Sequence, residues 1–195
     1  MNNSDHGKID EILENMPPTI FEEMLDKISG ISPDERKEKN RINSASKQYL
    51  HLPVEMWPDF EIKWDLSAEN YIFVFDGMKR NNFRENYPEG FSLGWVDFQE
   101  LESKLARFSQ RSIAETWDIG VSEKVARAIL YWVEGNEMTP PLIIPVGKEV
   151  NIAAGHHRVA VCRGKKIQTM PVLTKRTDRD LLEQNLQTLK WANDT

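Results

Sequence analysis

The chain has 195 residues, a net charge of −6, 39% hydrophobic residues and 29% charged residues. This length fits one domain of ordinary size with extensions, and the acidic balance argues against a surface that binds nucleic acid everywhere. No apolar run approaches the roughly 18 residues of a membrane-spanning helix, so no membrane association is expected. The single cysteine, Cys162, excludes a disulfide framework within the chain.

Residues 1–50 are polar and carry helix signals with narrow apolar stripes. Thr19 and Glu22 form one capping box, and Ser32-Pro33-x-Glu35 forms a second. The first residues lack the basic and apolar segments of a signal peptide, which favours a cytoplasmic location. We therefore predict an N-terminal helical extension over residues 1–50. Its apolar stripes pack either on the rest of the chain, which is the more common outcome, or on a protein partner.

Residues 51–110 are mixed and are predicted to be a variable α/β region that packs on the core. The run YIFVF at 71–75 is apolar and β-branched and predicts a strand. Residues 79–87 combine Lys, Arg and Asn with aromatics and predict a loop. The aromatics of that loop either stack on nucleic-acid bases or pack inward. A strand is predicted over 91–96, and Asp97-x-x-Glu100 opens a helix.

Residues 111–175 hold the most regular pattern, and residues 176–195 are predicted to form a C-terminal helix from Arg179 to about Asn193. We predict an α+β fold in which a small mixed sheet packs with helices in one core. The apolar positions expected to share that core are Ile129, Leu130, Ile143, Ile144, Ile152, Val159, Val161 and Val172. The predicted elements are a helix over 122–133, strands over 142–146, 150–154 and 170–173, and a helix from about His156 to Arg163.

The joint between the second of these strands and the helix reads Gly155-His156-His157-Arg158. Glycine lets the backbone approach a ligand closely, and the helix start offers N–H groups at its positive dipole end. Arg158 adds a planar fork of donors, and the histidines can donate, accept or carry charge. Phosphate is the anion that this box suits, while a surface turn without a ligand is the alternative. Zinc is disfavoured because adjacent histidines rarely face one ion.

Positive charge is concentrated towards the end of the chain. Residues 140–195 carry nine Lys or Arg and five Asp or Glu, a balance of +4, so the rest of the chain carries −10. We expect Lys165, Lys166, Lys175 and Arg176 to form a patch that binds the phosphates of nucleic acid, with DNA as a partner. The alternative is an ordinary solvated face.

The stretch from Pro141 to Leu173 resembles the ParB/sulfiredoxin-like superfamily, and the resemblance extends back to about Ile113, a third of the chain. Members carry two strands, a Gly-x-x-Arg box on a helix start, an apolar helix and a final strand. The matching parts here are Pro141–Ile144, Ile152–Ala154, Gly155–Arg158, Gly164 and Met170–Val172. The resemblance implies a ParB/sulfiredoxin-like core over residues 111–175.

The contents of the box separate the branches of that superfamily. Sulfiredoxin-type members have a catalytic cysteine where this chain has His156, which argues against their redox repair reaction. ParB-type partition proteins usually have Glu-Arg-Arg, which helps to hold CTP, where this chain has His156-His157-Arg158. Gly-His-His-Arg is most similar to the free-serine kinases and to ParB-like nuclease-domain proteins.

The resemblance implies that residues 155–158 bind ATP or another NTP, and that the protein hydrolyses ATP or transfers a phosphoryl group, with coupled DNA nuclease activity as a further expectation. Glu115 is the candidate catalytic base, with His156 and His157 as further catalytic candidates. Glu115 and Asp118 are candidate ligands for Mg²⁺. The alternative function is a non-catalytic regulator of plasmid or phage type that binds DNA or protein.

Overall fold

The computed structural model describes residues 20, 28, 30–75, 77–118 and 120–192. The chain divides into two compact units, Met1–Ala45 and Ser46–Thr195. In the first unit, helix α1 (Pro33–Ser46) starts with the predicted capping box, because the Ser32 N–H donates to Glu35 Oε2 at 2.7 Å and the Glu35 N–H donates to Ser32 Oγ at 3.2 Å. The helix signals before Ser32 lie outside the described residues apart from isolated positions.

The second unit is organised on a five-stranded mixed sheet of order β3-β2-β4-β1-β5. β2 and β4 run parallel, and the other neighbouring pairs run antiparallel. The strands are β1 (Phe91–Asp97), β2 (Leu142–Val146), β3 (Glu149–Ala154), β4 (Thr169–Lys175) and β5 (Lys190–Trp191). The sheet packs with helices, so the predicted α+β class and the strands predicted over 91–96, 142–146, 150–154 and 170–173 are confirmed.

The helices of the second unit are short. They are α2 (Arg80–Asn86), α3 (Phe98–Lys104), α4 (Ser122–Val133), α5 (His156–Gly164) and α6 (Arg179–Asn185). Five 3₁₀ segments join the described elements, at Lys47–Tyr49, Val54–Met56, Ala68–Val74, Ile113–Asp118 and Arg176–Asp178. α4 has the predicted bounds, whereas α6 ends well before the predicted Asn193 because the chain turns at 187–188 into β5. Within the described ranges, no helix is both long and apolar enough to cross a bilayer.

The strand predicted over 71–75 is wrong, since this stretch is the 3₁₀ helix Ala68–Val74. Ile72 and Val74 are buried together with Tyr71, while Phe73 remains 59% exposed, so the burial does not alternate as in a strand. The Phe75 N–H donates to the Ile72 carbonyl at 3.1 Å. Hydrogen bonds from distant residues to this segment outweigh its β propensity and favour the 3₁₀ conformation.

The loop predicted over 79–87 is also wrong, because residues 80–86 form α2. Its aromatic side chains pack inward, which was one of the two alternatives for this segment. The Tyr87 ring stacks on Phe75 at 5.1 Å between centroids and lies 5.0 Å from the Phe91 ring, and Phe83 joins the same group. Base stacking is therefore not their role in the folded chain.

Apolar side chains cover both faces of the sheet, because strand residues alternate between faces. The main core holds Val96, Ile143, Val150, Ile152, Met170 and Val172 together with Leu101, Val125, Ile129, Val159, Val161 and Leu182 from the helices. A smaller aromatic core on the other face contains Phe91, Leu142 and Leu173 with Tyr71 and Val74. Of the predicted core positions, Ile129, Ile143, Ile152, Val159, Val161 and Val172 lie in the main core, whereas Leu130 is buried outside it and Ile144 is only half-buried.

The end of α5 packs against an indole ring, and this contact requires glycine. A Cβ on Gly164 would lie 2.5 and 2.7 Å from Trp57 Cζ3 and Cη2. Gly164 lies in α5 and is not among the glycines with a positive φ, so alanine would be acceptable to the backbone and only the contact opposes it. The Trp57 indole N–H donates to the Leu52 carbonyl at 3.0 Å, which fixes the ring in place.

We predict that Gly164→Ala lowers the free energy of unfolding by about 1–3 kcal/mol, the usual range for overpacking a core. Urea denaturation measures this change. In a Trp57→Leu background the ring is gone, so the same substitution should have a much smaller effect. An equal loss in both backgrounds would contradict the assigned contact.

Glu100 on α3 fastens the turn before β5. Its carboxylate accepts hydrogen bonds from the Gln187 N–H at 2.7 Å, the Thr188 N–H at 2.8 Å and the Thr188 hydroxyl. Burial opposes the charged form of this carboxyl, but the hydrogen bonds from Thr188 and Gln187 outweigh burial and hold the pKa of Glu100 below its ordinary value. Folding therefore favours the ionised carboxylate.

We predict that Glu100→Gln lowers the free energy of unfolding at pH 7 by about 1 kcal/mol. Because the pKa of Glu100 is depressed in the folded state, this contribution is present above the unfolded pKa, about 4.3, and is lost as pH falls through the folded pKa. Urea denaturation at pH 7 and pH 3 should show the gap between wild type and variant closing in acid. Glu85→Gln, an exposed carboxylate on α2, is the control, and a gap independent of pH would contradict the role of Glu100.

Candidate functional site

The strand-to-helix joint at Gly155 is fixed by packing as well as by backbone conformation. Gly155 has φ of +93°, which favours glycine, and it occupies the N-cap of α5. A Cβ at this position would lie 2.9 Å from Pro141 Cβ and 3.0 Å from Pro141 Cα. The glycine therefore allows the joint to approach the residue before β2. Without a side chain, it gives no capping oxygen to the first turn of α5.

Arg158 is buried, with 8% of its surface exposed, and its guanidinium binds backbone carbonyls. Nη1 donates to the Thr139 carbonyl and lies 3.5 Å from the Pro140 carbonyl, and Nη2 donates to the Val74 carbonyl at 3.2 Å. A ligand phosphate at Arg158 would compete with these three acceptors. The predicted phosphate clamp thus coincides with a structural link.

The two histidines of the box have different surroundings, although both are half-buried. Burial lowers the pKa of His156 first, and the positive charge of Arg111 and then that of Arg163 lower it further, against a hydrogen bond with the backbone of Ile152. His157 lies beside the 3₁₀ segment 113–118, with its Nε2 3.8 Å from the Cβ position of Gly120. The start of α5 is therefore a region of positive potential.

The carboxylate candidates lie on the 3₁₀ segment Ile113–Asp118, which contacts α5. Glu115 is exposed, and its Oε2 accepts from the Ser112 N–H at 2.7 Å and the Ser112 hydroxyl at 2.8 Å. These hydrogen bonds, with smaller effects from Arg111 and Arg163, lower the pKa of Glu115. The charges of Arg111 and Arg163 lower the pKa of both Glu115 and His156. The candidate base and the box are therefore both within the field of the same two arginines.

Asp118 is exposed and lies three residues after Glu115, on the same side of the 3₁₀ segment. Among the described residues, no group of three or more His, Cys, Asp or Glu side chains is placed to hold a metal ion. The two carboxylates fit Mg²⁺ only as a shared ion, with ligand phosphates completing its coordination.

The arginine loop (residues 105–112) connects α3 to this segment and is pinned along β3. The Ala106 N–H donates to the Val150 carbonyl at 2.8 Å, and the buried Ser109 hydroxyl donates to Asn151 Oδ1. Internal bonds tighten the loop, including one from Gln110 Nε2 to the Leu105 carbonyl at 2.8 Å. Because β3 continues into Gly155, this anchoring fixes the loop relative to the start of α5.

A cavity of about 550 Å³, the arginine cavity, opens between this loop and the end of α3. Its lining residues are Glu102, Arg107, Gln110, Arg111, Ser112 and Glu115. Behind Glu102 lies Arg163 of α5, which is 7% exposed and donates from Nε and Nη2 to Glu102 at 2.6 and 2.7 Å. Of the lining residues, only Glu115 was a candidate from the sequence.

The sequence contained a weak signal for this cavity. Arg107 and Arg111 stand four residues apart in a stretch rich in polar side chains, but nothing local shows that the stretch runs along β3. The pairing of Glu102 with Arg163 joins residues that are 61 positions apart. Only the folded chain shows which arginines near the box have carboxylate partners.

The four predicted nucleic-acid contacts lie in two pairs rather than one patch. Lys165 and Lys166 follow α5 and precede β4, while Lys175 and Arg176 lie at the other end of that strand, about 20 Å along it. The Lys165 ammonium lies 4.5 Å from the Phe60 ring centroid and 3.5 Å from Asp59, and Lys175 lies over Tyr87 at 5.7 Å. Nucleic acid would have to span both pairs to contact all four residues.

Cys162 lies on α5 with its side chain wholly buried in the main core. Burial raises the pKa of its thiol, so the reactive thiolate is strongly disfavoured.

Comparison with known proteins gives no match: no protein-family model, no curated protein and no solved structure is significantly similar to this chain.

We predict that Arg158→Ala lowers the free energy of unfolding by about 3 kcal/mol, because it leaves buried carbonyls without their donor. Arg158→Lys should recover little, since one ammonium cannot reach acceptors on two segments as the fork does. Thermal and urea denaturation measure both variants, with the exposed Arg84→Ala of α2 as control. Wild-type stability in Arg158→Ala would show that the guanidinium is not a structural link and is available to a ligand.

Proposed function

We propose that this protein binds a nucleotide through its phosphates at the start of α5 and acts on it by hydrolysis or phosphoryl transfer, within a ParB/sulfiredoxin-like core. The order of the elements supports that core: two antiparallel strands, the Gly155–Arg158 box at a helix start, and a strand that returns parallel to β2. ATP or another NTP is the proposed ligand.

The helix start at Gly155, with two half-buried histidines in its first turn, carries the proposal. Burial is the main cause of the lowered pKa of His156, but the charges of Arg111 and Arg163 lower it further, and those two charges favour an anion. The N–H groups of the first turn of α5 add the positive end of the helix dipole. Phosphate, with several acceptor oxygens, suits these donors better than a carboxylate with two.

The reaction class follows from the neighbouring groups. Phosphoryl transfer requires in-line positioning and neutralisation of charge more than covalent catalysis by the protein. His156 and His157 are proposed to donate to phosphate oxygens, and Glu115 to accept the proton of the attacking hydroxyl or water. The hydrogen bonds from Ser112 lower the pKa of Glu115, so the carboxylate is ionised, but they also make it a weaker base than an unperturbed glutamate.

Mg²⁺ is the proposed cofactor, with Glu115 and Asp118 as its protein ligands. When bound it would neutralise charge on the phosphates. The chain's own residues position the ligand and accept the proton. The box is proposed to hold the phosphate chain, and the arginine loop holds Glu115 through Ser112.

A nucleotide-binding regulator without catalysis is the second candidate. It is favoured by Glu115, whose carboxylate is already engaged with Ser112, and by the carbonyl contacts of Arg158. In this alternative the nucleotide binds and is not turned over, and DNA or a protein is the effector target. ATP hydrolysis in wild type that is lost in Glu115→Gln, with binding retained, would favour the enzyme.

We predict that ATP binding raises the pKa of His156, because a phosphate next to the imidazole offsets the two arginines. Histidine side-chain NMR titration of the full chain, with and without saturating ATP, measures this change, and His156→Gln assigns the resonance. Adenosine, which has no phosphate, is the matched control and should leave the pKa of His156 unchanged.

Two results would contradict the proposal. Binding of ATP, shown by a raised melting temperature, with no change in the pKa of His156 would place the nucleotide elsewhere. No stabilisation by ATP, CTP or GTP with Mg²⁺ would exclude nucleotide binding under those conditions and leave the box as a structural joint.

A further inference from the structure

Two arginines of the arginine cavity have no carboxylate partner among the described residues. Arg107 is exposed and makes no hydrogen bond or ion pair with any described residue. Arg111 is half-buried and uses Nη1 to hold its own loop through the Phe108 carbonyl at 3.2 Å and the Gln110 carbonyl. Within the part of the chain described here, nothing accepts a hydrogen bond from Arg111 Nε or Nη2.

The two carboxylates of the cavity are committed to other groups. Both oxygens of Glu102 accept from Arg163, and the bonded oxygen of Glu115 accepts from Ser112 twice. Three arginines therefore face two carboxylates. Because Glu102 is paired with Arg163, Arg107 and Arg111 face only the charge of Glu115, which leaves one positive charge in excess. This excess is notable in a chain whose net charge is −6.

Arg163 supplies a second, independent observation. Its guanidinium is more than nine-tenths buried, yet Nη1 has no hydrogen-bond partner among the described residues. A buried donor without an acceptor is unfavourable and rare in folded proteins. Arg163 does not line the cavity, but it binds Glu102, which does, so it places a buried positive charge behind the cavity wall.

We propose that the arginine cavity binds a second phosphate of the ligand, with Arg111 as the clamp, Arg107 as a contact at the rim and Arg163 as the buried charge behind them. This inference rests on the proposed function in that one phosphate chain reaches from the start of α5 into the cavity. The ligand class is therefore a nucleoside di- or triphosphate, and a monophosphate is too short to occupy both places. The two places are neighbours because the 3₁₀ segment Ile113–Asp118 contributes Glu115 to the cavity and also contacts α5.

The test uses inorganic tripolyphosphate, ATP and AMP in calorimetric titrations of the full chain at low salt. Arg111→Gln should weaken tripolyphosphate and ATP about ten- to hundredfold, the effect of losing one charge-assisted contact. Arg107→Gln should weaken both ligands by less, and the double variant should weaken them most. AMP should bind more weakly than ATP to the wild type and should respond little to either change.

Two controls keep the result interpretable. Arg111 holds its own loop through Nη1, so its loss can loosen the loop, whereas Arg107 has no hydrogen bond to lose and reports charge alone. Arg84→Gln removes an exposed arginine from α2 and should leave all three affinities unchanged. Unaltered tripolyphosphate affinity in the double variant, or no binding to wild type at low salt, would overturn the inference.

Failure of this inference differs from failure of the proposed function. If ATP raises the pKa of His156 equally in wild type and the double variant, with equal affinity, the box binds phosphate and the cavity does not. In the other case, tripolyphosphate binding depends on the two arginines, but ATP binds no more tightly than tripolyphosphate and leaves the pKa of His156 unchanged. The cavity is then an anion site, and the nucleotide proposal fails.

Discussion

The buried guanidinium of Arg158 is the interaction on which the rest of the structure depends. It joins α5, a helix of the main core, to the segment entering β2 through Thr139 and to the aromatic core through Val74. A buried cation is tolerated only where acceptors surround it, and buried carbonyls need donors in the same way. The guanidinium and the carbonyls therefore need each other, and their hydrogen bonds connect the cores on the two faces of the sheet.

This contact explains the local chemistry of the box. Gly155 has to be small because Pro141 lies against it, and a Cβ there would also lie 3.5 Å from Arg158 Cζ. Glycine, proline and arginine form one packed unit at the end of β3, which orients the first turn of α5. The same strand anchors the arginine loop through Val150, so the helix start and the loop are placed by one rigid element.

Local patterns predicted the strands β2, β3 and β4 and the helix α4, because their apolar periods match their burial. The strand predicted for YIFVF failed for the opposite reason. The Val74 carbonyl accepts from Arg158, the carbonyl of the preceding Asn70 accepts from the Thr139 hydroxyl, and these distant donors favour the 3₁₀ conformation. The box was visible from residue type and spacing, and Glu115 was chosen from the family resemblance. Arg107 and Arg111 were not, because the ion pair that leaves them without a carboxylate joins Glu102 to Arg163 across the fold.

The distribution of carboxylates decides where an anion can bind. Arg158 has the residue type of a phosphate clamp, but its donors already serve carbonyls, and a ligand could recruit them only at the expense of the fold. Arg111 has the same guanidinium group, but its loop is already held to β3 by a backbone hydrogen bond. Its Nε and Nη2 have no acceptor among the described residues. Arg111 can therefore take a new acceptor at Nε or Nη2 while Nη1 keeps its bonds to the loop carbonyls. The charge next to the box, more than the arginine inside it, is therefore the part of this structure best suited to binding and releasing a phosphate chain.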